Sequence, residues 1–140
     1  MTSIPMKKNP FREKMTAIRI VNPETAQSLG TITNFDVFPG STSLVAFLDF
    51  FNLRPETDYI LSLTAHFPNG TSYPVHATRI NIARQDFVLL EDGFGMATGN
   101  FSFNFTIQNP SDFYFFFVLM DENGQEVDTA YSYHHFGKWG

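Results

Sequence analysis

Apolar positions in this chain recur every second residue, and a period of two predicts strands rather than helices. The clearest stretch is Phe101, Phe103, Phe105 and Ile107, alternating with Ser102, Asn104 and Thr106, so that all three rings share one face. Tyr59, Leu61, Leu63 and Ala65 alternate in the same way with Ile60, Ser62, Thr64 and His66. Residues 113–121 are continuously apolar instead, which predicts a central strand covered on both faces. Residues 44–51 predict a strand that pairs with 59–66. Weaker patterns place strands at 15–21, 28–38, 75–82, 87–90 and 125–136, and in the first of these Ala17 and Arg19 oppose Thr16, Ile18 and Ile20.

Between the strands stand turn formers. Asn69-Gly70 and Asn123-Gly124 are hairpin signals, because glycine supplies the positive φ such turns need. Asn22-Pro23, Pro39-Gly40-Ser41 and Asn109-Pro110 interrupt the ladder elsewhere, and residues 91–99, with three glycines, predict a flexible loop. No segment sustains a 3.6-residue period. The predicted fold is therefore all-β, a two-layer antiparallel β-sandwich. Residues 1–14, with Pro5, Pro10 and most of the local basic charge, predict a flexible N-terminal arm, and 15–140 a single domain.

Residues 44–75 and 101–130 repeat one order: apolar strand, turn with proline, aromatic residue, apolar strand, Asn-Gly, strand. Two similar three-stranded units would build a pseudo-symmetric sandwich. Within the first unit, Leu53-Arg54-Pro55-Glu56-Thr57-Asp58-Tyr59 resembles the Leu-x-Pro-x-Thr-x-Tyr corner of fibronectin type III domains, and the wider pattern resembles bacterial immunoglobulin-like domains. The resemblance implies an immunoglobulin-like sandwich in which the Tyr59 hydroxyl ties back to the backbone near 53–56. It implies no activity.

Composition narrows the function. Seventeen phenylalanines in 140 residues, with only 16% of residues charged, describe a chain with ample material for a core. The net charge of −5 comes without a basic face, which argues against nucleic acid as a partner. The longest apolar run is strand-length, so no membrane span is expected. Without cysteine there is no disulfide, thiolate metal site or thiol nucleophile. The first residues do not form a signal peptide, so a cytoplasmic location is favoured, and the formal sequons at Asn69, Asn100 and Asn104 are read as chance.

Candidate chemistry is sparse. His134 and His135 are neighbours on a strand and point to opposite faces, His66 and His76 lie elsewhere, and no carboxylate stands at a ligand spacing, so no metal or cofactor is expected. All four histidines are expected at the polar surface. The 93–99 glycines lack the Lys-Ser/Thr of a phosphate loop and lead into a strand. The adjacent acids Glu91-Asp92 and Asp121-Glu122 sit in turns, where solvated charge is ordinary. The aromatic C-terminal stretch remains, with Tyr131, Tyr133, Phe136 and Trp139 either packing on the sheet or meeting a partner. The expected function is a non-enzymatic binding or structural module acting through protein contacts, self-association included. A two-fold dimer is expected because residues 99–120 carry one charge, Asp112, too little to protect a sheet edge. The alternatives are a carbohydrate-binding sandwich, marked by an exposed Tyr131 or Trp139 beside loop acids, and a small hydrolase with its site at the loop ends.

Overall fold

The computed structural model describes residues 11–139. Ten strands follow in order: β1 (Lys14–Asn22), β2 (Gln27–Ser28), β3 (Ile32–Phe35), β4 (Gly40–Leu53), β5 (Tyr59–His66), β6 (Ser72–Ile80), β7 (Val88–Glu91), β8 (Phe94–Ile107), β9 (Ser111–Met120) and β10 (Glu126–Lys138). The single helical element among the described residues is a 3₁₀ turn at Arg84–Asp86. The strands form two five-stranded sheets, the first in the order β2-β1-β4-β8-β7 and the second in the order β3-β10-β9-β5-β6. All pairings are antiparallel except that of β3 with β10, which is parallel.

The repeat seen in the sequence corresponds to a repeated path. Each unit lays one long strand in the centre of the first sheet, β4 or β8, then crosses to the second sheet and forms a hairpin there, β5-β6 or β9-β10. The two long strands pair antiparallel along their lengths, and so do the first hairpin strands, β5 with β9. The predicted pairing of 44–51 with 59–66 is thereby corrected: those segments lie in opposite layers. The crossing is made in residues 54–58, with positive φ at Asn52 just before it and at Glu56 within it. Tyr59 fills the corner. Its ring is buried, and its hydroxyl oxygen accepts the Arg54 backbone N–H at 3.0 Å. Burial pushes that hydroxyl's pKa well up, so it stays protonated, and the bond contributes about 1 kcal/mol.

Between the layers, phenylalanines from β8 meet phenylalanines from β9. Phe103 lies edge-on to Phe115 with centroids 5.6 Å apart, and Phe105 lies 4.9 Å from both Phe113 and Phe115. Such tilted arrangements suit the ring quadrupole, and the apolar area they bury is the main stabilising contribution to the fold.

Several local expectations change. The segment 28–38 does not make one strand: β2 and β3 belong to different sheets, with the chain changing layer around Gly30. In β1 the register shifts between Thr16 and Arg19, where Ala17 takes a positive φ, so the buried residues are Met15 and Ile20, which a regular alternation would place on opposite faces. The predicted loop 91–99 is mostly strand. Only Asp92-Gly93 turns, and β8 begins at Phe94, with Gly99 lying where a Cβ would come 3.0 Å from the Phe50 ring. The expected arm, residues 1–14, lies outside the described residues up to residue 10. Beyond that it is tied down: the Asn52 side-chain amide donates to the Phe11 carbonyl at 2.7 Å, and the Arg12 guanidinium lies 4.2 Å above the Phe94 ring.

The poorly charged stretch 99–120 is an edge in its β8 part and not in its β9 part. Strand β9 is paired on both sides, which removes its part of the edge argument for a dimer, whereas β8 has β4 along one side and β7 beside only residues 94–96, so that residues 97–107 keep one free edge. Of the outermost strands, β2, β3 and β7 are two to four residues long and leave residues 97–107 of β8 and 126–134 of β10 paired on one side only, while β6 carries Pro74 and a bulge, features that discourage edge pairing.

Candidate functional site

The outer faces of the two sheets differ in chemistry. On the first, β4 and β8 present hydroxyls and amides to one another, Ser41 to Thr106 and Ser43 to Asn104, each at 2.8 Å. On the second, the even positions of β9 and the odd positions of β10 bring aromatic rings into register. Tyr133, Tyr114 and His66 form one row across β10, β9 and β5, and Tyr131, Phe116 and Thr64 the next. Within the rows, His66 stacks on Tyr114 at 4.8 Å with planes 2° apart, and Phe116 stacks on Tyr131 at 4.8 Å. Tyr114 contacts Tyr133 at 5.2 Å, so the rings form one continuous surface. Tyr131 is 56% and Tyr133 67% exposed, which leaves this surface open to solvent. The expectation that 113–121 is covered on both faces is therefore corrected: Phe113, Phe115, Phe117 and Leu119 face the core, while Tyr114, Phe116, Val118 and Met120 face outward and are half-buried.

The C-terminal candidates divide in the same way. Tyr131 and Tyr133 belong to the outer surface. Trp139 is also exposed, at 64%, beyond the end of β10. Phe136 is wholly buried, packed edge-on to Phe113 at 4.8 Å, and cannot meet a partner in this fold. Its even position on β10 turns it inward, because Tyr131 and Tyr133 occupy the opposite face.

Where the aromatic surface reaches the end of the sandwich, a recess of about 380 Å³ is lined by His66, Tyr114 and Tyr133 together with Asp112 and His135. His135 Nδ1 lies 2.6 Å from Asp112 Oδ1, across the β9–β10 register. A His–Asp pair is half of a hydrolytic constellation, but no hydroxyl bonds to His135 Nε2 among the described residues. His134 does not fit the expectation of surface histidines. It is buried, its Nδ1 is 3.0 Å from the Gly30 carbonyl, and its Nε2 is 2.7 Å from Ser132 Oγ. A carbonyl only accepts, so Nδ1 carries the hydrogen and neutral Nε2 accepts from the serine hydroxyl. Among the described residues no group of three or more His, Asp or Glu side chains is placed to hold a metal ion.

Burial lowers the pKa of His134 below 6.5, with the Gly30 carbonyl opposing the shift in part. A base whose pKa falls on folding binds its proton more readily in the unfolded chain, so its contribution to stability is complete above about 6.5 and is lost as pH falls below it. Denaturant titrations at pH 7.5 and pH 5 should give a lower midpoint at pH 5, and His134→Gln should reduce that difference. An equal difference in the variant would place the titration elsewhere.

Two rows of rings and the recess beside them were missed by sequence reading at His66, Tyr114, Phe116 and Asp112. The signal was the aromatic content of the even β9 positions, but only the cross-strand register shows that Tyr114 sits between His66 and Tyr133.

Fold and surface together define a two-layer β-sandwich domain with one polar and one aromatic outer face. No protein-family model and no curated protein sequence matches the chain. Among solved structures, it is similar to a bacterial adhesin from Mobiluncus mulieris containing intramolecular disulfide, isopeptide and ester bond cross-links, at 8% identity and a TM-score of 0.54, over 89% of this chain and 49% of that one. It is also similar to a β-glucuronidase from Bacteroides uniformis, at 16% identity and a TM-score of 0.53, over 89% of this chain and 14% of the enzyme. The chain thus spans about half of the adhesin and a small part of the glucuronidase, and at these identities the likeness is one of fold. Among the described residues no helix is long and apolar enough to cross a membrane.

Proposed function

We propose that this sandwich is a non-enzymatic binding module that makes protein contacts through the aromatic outer face of its second sheet, with a second copy of the chain as one partner. The observation that carries this reading is the continuous surface of His66, Tyr114, Phe116, Tyr131 and Tyr133, open to solvent on a sheet whose other face already builds the core. Exposed aromatic clusters of this kind mark contact surfaces, and tyrosine is favoured there because it contributes large area at low entropic cost. The face also suits its own copy. Tyrosine hydroxyls both donate and accept, and no lysine, arginine or carboxylate lies among these five side chains to oppose a two-fold contact. The buried Tyr59 corner supports reading the sandwich as immunoglobulin-like, an architecture suited to binding through surfaces rather than deep sites.

Light scattering at micromolar concentration tests the reading. A dimer mass is expected, reverting to monomer in the Tyr131→Ser, Tyr133→Ser double variant with the melting temperature nearly unchanged. A monomer mass for the unaltered protein would overturn self-association.

A further inference from the structure

A second cavity lies next to the aromatic face, at the end of the sandwich where the β5–β6 and β8–β9 connections approach each other. It is a cleft of about 730 Å³, within the range of about 300–1,000 Å³ usual for small-ligand sites. Its wall is apolar and rigid: Phe67 and Tyr73 stack at 5.7 Å with planes 22° apart, and Pro68 and Pro110 flank them. The Tyr73 ring is pinned, because its hydroxyl donates to the Thr106 carbonyl at 2.6 Å and its other neighbour is Phe105 of the core. Its rim is polar but neutral. The side-chain amides of Gln108 and Asn109 are exposed and make no hydrogen bond among the described residues, so both are open to a ligand. No residue lining the cleft is charged, in a chain of net charge −5.

We infer that this cleft is a binding site for an uncharged oligosaccharide. The C–H groups of a pyranose ring are weakly polar and pack on an apolar wall such as that of Phe67, Pro68, Tyr73 and Pro110. Each side-chain amide offers a carbonyl acceptor and two N–H donors, the pairing that neighbouring sugar hydroxyls require. An anionic ligand would be desolvated there with no cation to receive it, and a wholly apolar one would leave the amides of the rim unpaired. The site is separate from the surface proposed for protein contact: the cleft and the Asp112–His135 recess meet only at the ridge of Phe67 and Pro68.

Isothermal titration calorimetry with cellohexaose, xylohexaose, maltohexaose and chitohexaose, and with hexagalacturonate as the charged control, decides it. At least one neutral hexasaccharide should bind while hexagalacturonate does not, and the Gln108→Ala, Asn109→Ala double variant should weaken that binding at least tenfold. Both residues are exposed and unbonded, so the variant keeps its fold and melting temperature. Absence of binding by all four neutral sugars, or binding left intact by that variant and abolished by Tyr131→Ser, Tyr133→Ser, would overturn the assignment. The tyrosine variant reports on self-association independently, so failure of either proposal leaves the other standing.

Discussion

Truncating Phe105 to alanine is expected to lower the stability of the domain by about 3–5 kcal/mol, the range for removing a fully buried aromatic ring. The ring is 1% exposed and touches both layers, with Phe113 and Phe115 at 4.9 Å, Phe136 at 5.8 Å and Tyr73 at 6.1 Å. Its removal leaves a cavity bounded by other rings, and those rings are held by β6, β9 and β10, whose ladders prevent collapse onto the void. Domains of this size are stable by about 5–15 kcal/mol, so the loss is a large share of the total. Urea denaturation followed by circular dichroism measures it. An unchanged midpoint would mean that β8 does not present this ring to the core.

The second large effect is a contrast within one strand. Phe117→Ala should also cost about 3–5 kcal/mol, since the ring is fully buried against the opposite layer. Phe116→Ala, one residue away, removes a half-buried ring whose partner is Tyr131 on the outer surface, and should cost only about 1 kcal/mol or less, the scale of a cross-strand pair. Equal losses at the two positions would restore the reading of β9 as covered on both faces, and would require a further layer over the aromatic surface.

Much of the fold is legible in residue order because strand geometry is local. The alternation of Phe101, Phe103 and Phe105 with Ser102 and Asn104 reports a sheet with one wet face, and the structure places those rings inside. The Asn-Gly turns are equally local: Gly70 and Gly124 take φ of 87° and 76°, and Gly70 N–H donates to the Phe67 carbonyl at 3.0 Å. A continuous apolar run is ambiguous in a way that alternation is not. In β9 both faces are hydrophobic, and whether the second is covered depends on what packs there, which no property of residues 113–121 records.

Residue order suffices to make this chain all-β, to place most of its strands and to tell which of their residues point inward, because side-chain direction follows from a period of two along a single segment. It also carried the repeat of two three-stranded units and the Tyr59 corner, both set by short-range order. Tertiary structure alone decided which strands are neighbours, since β4 pairs with a strand more than forty residues away and not with β5, and pairing across layers is a matter of chain path. It decided likewise that the charge-poor strand β9 is central, that Phe136 is core while Tyr131 and Tyr133 are surface, and that His66, Tyr114 and Tyr133 stand in one row. A surface is assembled from residues distant in sequence, and their adjacency is fixed by hydrogen-bond register between strands, which appears only once the sheets have formed.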